Sequence, residues 1–194
     1  YKRQPQKEFA LFIAVTPFHY PTDIPTLCYR PAVLHVGVGC RKNISPEGIP
    51  AYIEAEVEKA GFSPLSIASV ASIELKKDEP LLKALQQRWP EASLRIYAPE
   101  ALRDIEVPHP SEKVYETTGV YGVAEAAAIK SADGGRLLIE KQKGMLAEGE
   151  AFTFAVALDA VASRIGHIEI VGAGPGDPDL ICLLYTSDAA DDGE

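Results

Sequence analysis

Val33-Leu34-His35-Val36-Gly37-Val38-Gly39-Cys40-Arg41-Lys42-Asn43-Ile44-Ser45-Pro46-Glu47 runs from an apolar stretch into two glycines, two cations and a helix start. It reads as strand 33–40, a tight turn and helix 46–60. Ser45 is placed to cap the first free N–H groups and Pro46 suits the first helical position. Glu47 falls in the first turn, where the helix dipole favours a carboxylate. Two readings stay open. In one the turn holds an anion: Gly37 and Gly39 let backbone approach a ligand, the helix end offers N–H donors, and Arg41 and Lys42 add positive charge. In the other it is a plain strand-to-helix turn with two solvated cations, since a lone glycine-rich turn is a weak motif.

Outward from this stretch, strand and helix patterns alternate. Ile49, Ile53, Val57 and Ala60 recur at helical spacing with Gly61 just past the end, so that face is core. A strand follows near 68–74. Helix 78–89 has Asp78 ahead of Leu81, Leu82 and Leu85, and Pro90 stops it after Trp89, which is given a packing role. Strand 93–97 leads into a short helix from Pro99. After a proline-bearing loop at 104–110, Ser111 opens a helix through Val114 and Tyr115, and an alanine-rich helix spans about 120–131. Asp133-Gly134-Gly135 turns the chain into strand 136–140, and 151–157 reads as a last strand. Such alternation predicts an α/β fold, a three-layer αβα domain with a mostly parallel sheet. Before it, Phe9–Val15 reads as a short buried strand. Thr16–Pro31, with Pro17, Pro21, Pro25 and Pro31, reads as an extended linker.

With 194 residues, 46% hydrophobic and 24% charged, the chain suits one sizeable soluble core plus pieces of neighbours. Its longest apolar runs fall well short of the roughly 20 residues of a membrane span. The first residue is Tyr1 and no signal pattern follows, so the start reads as a cut inside a longer chain. Cys28, Cys40 and Cys182 lack metal-ligand spacing and leave one unpaired under any disulfide scheme, which points away from zinc and toward a reducing cytoplasm. The net charge of −9 argues against a nucleic-acid partner. Four of the acids lie in 182–194 with no base beside them, so the remainder carries −5.

Ligands of open α/β sheets bind beyond the carboxyl ends of the strands. There the sequence places three basic pairs: Arg41 and Lys42, Lys76 and Lys77, and Lys141 and Lys143. Together they suit a ligand with several carboxylates or phosphates. Glu74, Glu116 and Glu125 are acids near the same edge, each able to act as a general base, to cap a helix, to pair with a lysine or to face water. Thr117-Thr118-Gly119 can bond a ligand or simply end a helix. Cys40 is either a nucleophile near a helix start or, with no base assignable, a small packed residue. His19, His35, His109 and His167 are dispersed and receive no role.

The runs Gly37-Val38-Gly39-Cys40-Arg41, Ser72-Ile73-Glu74-Leu75-Lys76-Lys77-Asp78-Glu79, Pro110-Ser111-Glu112 and Tyr115-Glu116-Thr117-Thr118-Gly119-Val120-Tyr121-Gly122-Val123-Ala124-Glu125, with Lys141 and Lys143 around Gln142, resemble the C-terminal domain of the cobalt-precorrin-5A hydrolase family. The resemblance covers about 33–160, in motif order. Residues 9–31 resemble the tail of that family's central domain. From Gly166, the run His167-Ile168-Glu169-Ile170-Val171-Gly172-Ala173-Gly174-Pro175-Gly176-Asp177-Pro178-Asp179-Leu180 is similar to the opening of tetrapyrrole methyltransferases, of which precorrin-3B C(17)-methyltransferase is the relative expected behind this hydrolase. The match stops near Ile181. Cys182 to Ala190 resembles translated sequencing adapter, so 182–194 is expected to be a non-native tail. The expected organisation is therefore 1–31, central-domain tail and linker; 32–163, hydrolase C-terminal-like domain; 164–181, truncated methyltransferase start; then the tail.

What the resemblance implies is a cytoplasmic hydrolase of cobalamin biosynthesis that opens a corrin ring lactone with water and releases acetaldehyde. The substrate is a cobalt corrinoid with several carboxylates, the cobalt entering as part of it. Under that reading Arg41, Lys76, Lys141 and Lys143 hold carboxylates, with Gly37, Gly39, Thr118 and Gly119 beside them, and Glu74 or Glu116 activates water. The hydrolase-like domain needs no cofactor or resident metal. S-adenosylmethionine belongs to an intact methyltransferase domain, whose glycine-rich loop is Gly172, Gly174, Pro175, Gly176 and Asp177. The alternative is a non-catalytic module that binds or delivers a corrinoid, with the lactone chemistry in the missing parts of the same chain.

Overall fold

A computed structural model of the protein describes residues 11–19, 21–145 and 151–162. These belong to the first of the two units into which the chain divides, Tyr1–Arg164. The methyltransferase-like run with its glycine-rich loop, and the adapter-like tail, lie outside the described residues.

Among the described residues, seven strands and five α-helices follow one another as β1 (Phe12–Val15), β2 (Thr26–Tyr29), β3 (Leu34–Cys40), α1 (Ile49–Lys59), β4 (Ile67–Ile73), α2 (Pro80–Arg88), β5 (Ser93–Tyr97), α3 (Pro99–Arg103), α4 (Glu112–Thr118), α5 (Val123–Ser131), β6 (Leu137–Met145) and β7 (Ala151–Leu158). Five strands form one sheet in the order β5-β4-β3-β7-β6. β3, β4 and β5 are parallel, and β7 runs antiparallel to both β3 and β6. The sheet is thus mostly parallel, with one reversed strand that closes a hairpin.

Period-two alternation sends neighbouring residues to opposite faces. Val36, Val38, Val70, Phe154 and Val156 pack with Ile49, Ile53 and Val57 of α1 and Leu81, Leu82 and Leu85 of α2. On the other face Ala71 and Ile73 meet Leu102 of α3 and Val123, Ala126 and Ala127 of α5, while Ala155 and Ala157 meet Ala124 and Ala128. The result is three layers, αβα, as the alternation predicts. α5 is buried almost all round rather than on one side. Its alanines bring its backbone against β3, where a Cβ on Gly37 would lie 1.9 Å from the Ala124 carbonyl oxygen and 2.6 Å from the Ala128 nitrogen. A longer side chain at either level would push the helix off the sheet.

Several boundaries differ from those expected. α1 starts at Ile49, not Pro46: Gly48 takes a left-handed φ of 76° and Pro50 occupies the first turn, where its missing N–H is not needed. Ser45 Oγ accepts from Glu47 N at 3.4 Å, ahead of the helix, and Glu47 stays outside it. Ala60 is exposed, because α1 ends at Lys59, although Gly61 does follow with the expected positive φ of 86°. α2 begins at Pro80 and α5 at Val123, both later than predicted. β6 runs to Met145, so Lys141 and Lys143 lie within a strand rather than after one. Phe12–Val15 is not a buried strand. It pairs in parallel with β2, inside the expected linker, and of its four residues only Ala14 is buried.

Candidate functional site

The carboxyl ends of β3, β4 and β5, the start of β7 and the end of β6 meet at one edge. Register there sets Gly39 opposite Thr153 and Thr153 opposite Lys143, in one row across three strands. Thr153 Oγ1 donates to the Gly39 carbonyl at 3.3 Å. A Cβ on Gly39 would meet that hydroxyl at 2.8 Å, and Arg41 N donates to Ala151 O at 3.3 Å. Gly39, Arg41 and Lys143 therefore share the edge. Gly37 lies deeper, and the close approach it permits is that of α5. The displaced start of α1 also moves its free N–H groups a turn away from the glycines.

Two buried glutamates fasten this edge. On the α1/α2 face, Glu79 just ahead of α2 accepts from Asn43 N at 2.6 Å and pairs with Lys76 Nζ at 3.5 Å. It ties down the β3–α1 loop, in which Asn43 takes a φ of 56°. Lys76 thus answers a buried carboxylate of its own chain. Cys40 lies in the field of this pair. Burial first, and then Glu79, pushes its thiol up to about 11 against the opposing pull of Lys76. It stays protonated near neutrality and fits the packed-residue reading.

On the α5 face, Glu125 is 0% exposed. Its Oε2 accepts from His109 N at 3.3 Å, and its Oε1 from Lys141 N at 3.1 Å and from His109 Nδ1 at 2.9 Å. The Lys141 ammonium donates back to the His109 carbonyl. His109 Nε2 faces Glu140 Oε2 at 3.6 Å. One carboxylate thereby joins α5, the 104–110 loop and β6. Beside this loop is a shallow hollow of about 360 Å³ whose lining mixes Arg103 with the acids Asp104 and Glu106 and with Val107, Pro110 and Tyr121. Tyr121 stacks on Tyr115 with centroids 4.4 Å apart.

The other sequence candidates are placed as follows. Glu74 follows β4 and Glu116 lies on α4; both are exposed. Lys42 and Lys77 are exposed. Thr118 Oγ1 donates to Val114 O at 2.7 Å and Gly119 has a φ of 72°, the chemistry of a helix end. Sequence reading missed His109, whose partner stands sixteen residues away, and Glu79. The signal available for His109 was its partner Glu125, at the third position of α5, where free N–H groups and the dipole favour a carboxylate.

At the opposite end of the sheet His35 is 2% exposed, with Nδ1 2.8 Å from Ser69 Oγ and Nε2 3.6 Å from Asp159 Oδ2. The residue types are those of a hydrolytic triad, yet Ser69 is fully buried. The ring is also the wrong way round, since a triad serine faces Nε2.

The family model described as Cobalamin synthesis G C-terminus matches residues 34–157. The chain belongs to this family. It is 36% identical over 115 residues to the cobalt-precorrin-5A hydrolase of Priestia megaterium, covering 59% of this chain and 30% of that one. It is 34% identical over 142 residues to protein CobE of Sinorhizobium sp, covering 72% of this chain and 91% of CobE. The chain thus spans about a third of the hydrolase and nearly all of CobE. A crystal structure of CobE, a protein from the cobalamin (vitamin B12) biosynthetic pathway, superposes with a TM-score of 0.56 at 35% identity, covering 66% of this chain and 91% of CobE. The matched 34–157 starts with β3 and includes all of the five-stranded sheet except Leu158, so the fastened edge lies within the matched region.

Proposed function

We propose that this chain acts in cobalamin biosynthesis as part of a cobalt-precorrin-5A hydrolase, opening the ring lactone of a cobalt corrinoid with water and releasing acetaldehyde. The observation that carries the reading is the basic edge of an acidic protein, Arg41 and Lys143 beside Gly39 and Thr153, with Lys141 two residues earlier in β6, within a domain 36% identical over 115 residues to that hydrolase. Several cations at one edge suit a substrate whose rim carries many carboxylates. Lys76 joins them in this reading with its charge shared with Glu79. Glu74 and Glu116 are its carboxylates for activating water. Residues 164–181 are assigned to a fused methyltransferase of the precorrin-3B C(17) type, which would use S-adenosylmethionine when intact. The compartment assigned is the cytoplasm; among the described residues no helix is long and apolar enough to cross a membrane.

A second reading, a module that binds or delivers the corrinoid without catalysis, is favoured by the 91% coverage of CobE, a protein little longer than this domain. Absorbance titration with cobyrinic acid, a stable cobalt corrinoid bearing free carboxylates, at low and high salt tests the shared element. Salt-weakened binding is expected, and absence of binding at either salt would remove both readings. Turnover of the lactone substrate by the same chain then separates them.

A further inference from the structure

The strongest arrangement of reactive groups at the basic edge joins Glu125, one of three acids the sequence offered as a general base, to His109, which received no role. Glu125 is fully buried and accepts from two backbone N–H groups, those of His109 and Lys141. A carboxylate already acting as acceptor twice is an acceptor for the imidazole also, so Nδ1 of His109 carries the hydrogen. That leaves Nε2 as the basic nitrogen. The side chain is 47% exposed, and the loop that carries it is held by the Lys141 ammonium on its own carbonyl. Glu140 approaches Nε2 only at ion-pair distance, 3.6 Å, from an exposed strand position. The next residue, Pro110, lines the hollow with Val107 and Tyr121. A buried carboxylate that orients a half-exposed imidazole beside a cationic edge and a hollow is the usual construction for moving a proton at a bound substrate. Glu74 and Glu116, by contrast, have no side-chain partner holding them in place among the described residues.

We propose that His109 is the proton-transfer residue of this edge and Glu125 its positioning residue. The inference rests on the hydrolase reading above. As the oxygen of water bonds to the lactone carbonyl carbon, Nε2 takes one proton from that water. The ring C–O bond then breaks, and the same proton passes from Nε2 to the leaving oxygen. One water is consumed, a carboxyl and a hydroxyl group are formed, and the imidazole returns to its neutral state.

The test compares the full chain with its His109→Asn, His109→Gln and Glu125→Gln variants, reading lactone turnover, cobyrinic acid affinity and the imidazole ¹⁵N shifts of His109. Expected are a loss of turnover of about 100-fold or more in both His109 variants, with affinity held within about twofold and partial rescue by added imidazole. In wild type the shifts should report hydrogen on Nδ1; in Glu125→Gln a population with hydrogen on Nε2 should appear, a change that loosened packing alone does not produce. Wild-type turnover by either folded His109 variant overturns the proposal and leaves the hydrolase reading intact. A wild-type chain that binds cobyrinic acid but opens no lactone overturns both. Should both His109 variants fail to fold, the wild-type spectrum decides: hydrogen on Nε2 overturns the proposal, hydrogen on Nδ1 supports it.

Discussion

His35 and His109 sit at opposite ends of the same sheet, each facing a carboxylate, and their surroundings make them chemically different. His35 is sealed between β4 and β7; burial, then the charge of Arg95, lowers its pKa, against the pull of Asp159. Its Nε2 is buried without a hydrogen-bond partner. The ring is a neutral packing element that tolerates one imperfectly met nitrogen. His109 lies at the carboxyl edge, where loops and a helix start converge. There the carboxylate is the buried partner and the imidazole the accessible one. A histidine beside an acid is therefore not in itself a site. Which of the two is buried, and at which end of the strands, decides what the pair can do.

The largest expected effect falls on the open end. Replacing Glu125 by Leu leaves the N–H groups of His109 and Lys141 without their acceptor inside the protein. It should cost about 3 kcal/mol or more in denaturant unfolding. Ser69→Ala at the closed end removes a single neutral hydrogen bond and should cost about 1 kcal/mol. If Ser69→Ala proves the more damaging, the contrast between the two ends is wrongly drawn. Gly37→Ala comes next, at about 1–3 kcal/mol, because its Cβ would fall on the α5 backbone and the helix must move; thermal unfolding reads it.

The closed end should also set an acid limit on stability. An unfolded chain takes up a proton on His35 near pH 6.5, whereas the folded chain refuses it until lower pH. Between those values the unfolded state binds more protons, so stability rises with pH. The contribution is fully present above about 6.5 and is lost as pH falls through the folded value. His35→Gln should flatten that fall, measured as Tm against pH; an unchanged slope would show that His35 is not its source. Smaller again is the lysine series. Lys141→Gln with Lys143→Gln should weaken cobyrinic acid binding about tenfold at low salt and less at high salt. Lys76→Gln should weaken it less, since Lys76 already pairs with Glu79.

The three-layer fold was legible because its evidence is local and periodic. Ile49, Ile53 and Val57, then Leu81, Leu82 and Leu85, announce the buried faces of α1 and α2, and the apolar run 33–40 announces β3. The insertion of β7 beside β3 was not legible, since pairing between residues more than a hundred positions apart leaves no spacing to read. Gly48 was passed over because Ser45-Pro46 is the stronger local start signal, and Pro50 decided otherwise. At the site, Arg41 and Gly39 could be placed from the order of strands and turns, whereas Lys141 and Lys143 fall inside β6 because the strand runs on past the expected end at 140. The bonds of Glu125 to His109 and Lys141 could not, because they join a loop, a helix and a strand that only the packed fold brings together.

The most direct test is a ¹⁵N-resolved NMR titration of the full chain with diamagnetic Co(III) cobyrinic acid, following backbone amides at both ends of the sheet at once. The account predicts shifts at Gly39, Arg41, His109, Tyr121, Lys141 and Lys143, with His35, Ser69 and Asp159 unmoved. Shifts confined to the His35 end, or none at the basic edge under saturating ligand, would contradict it.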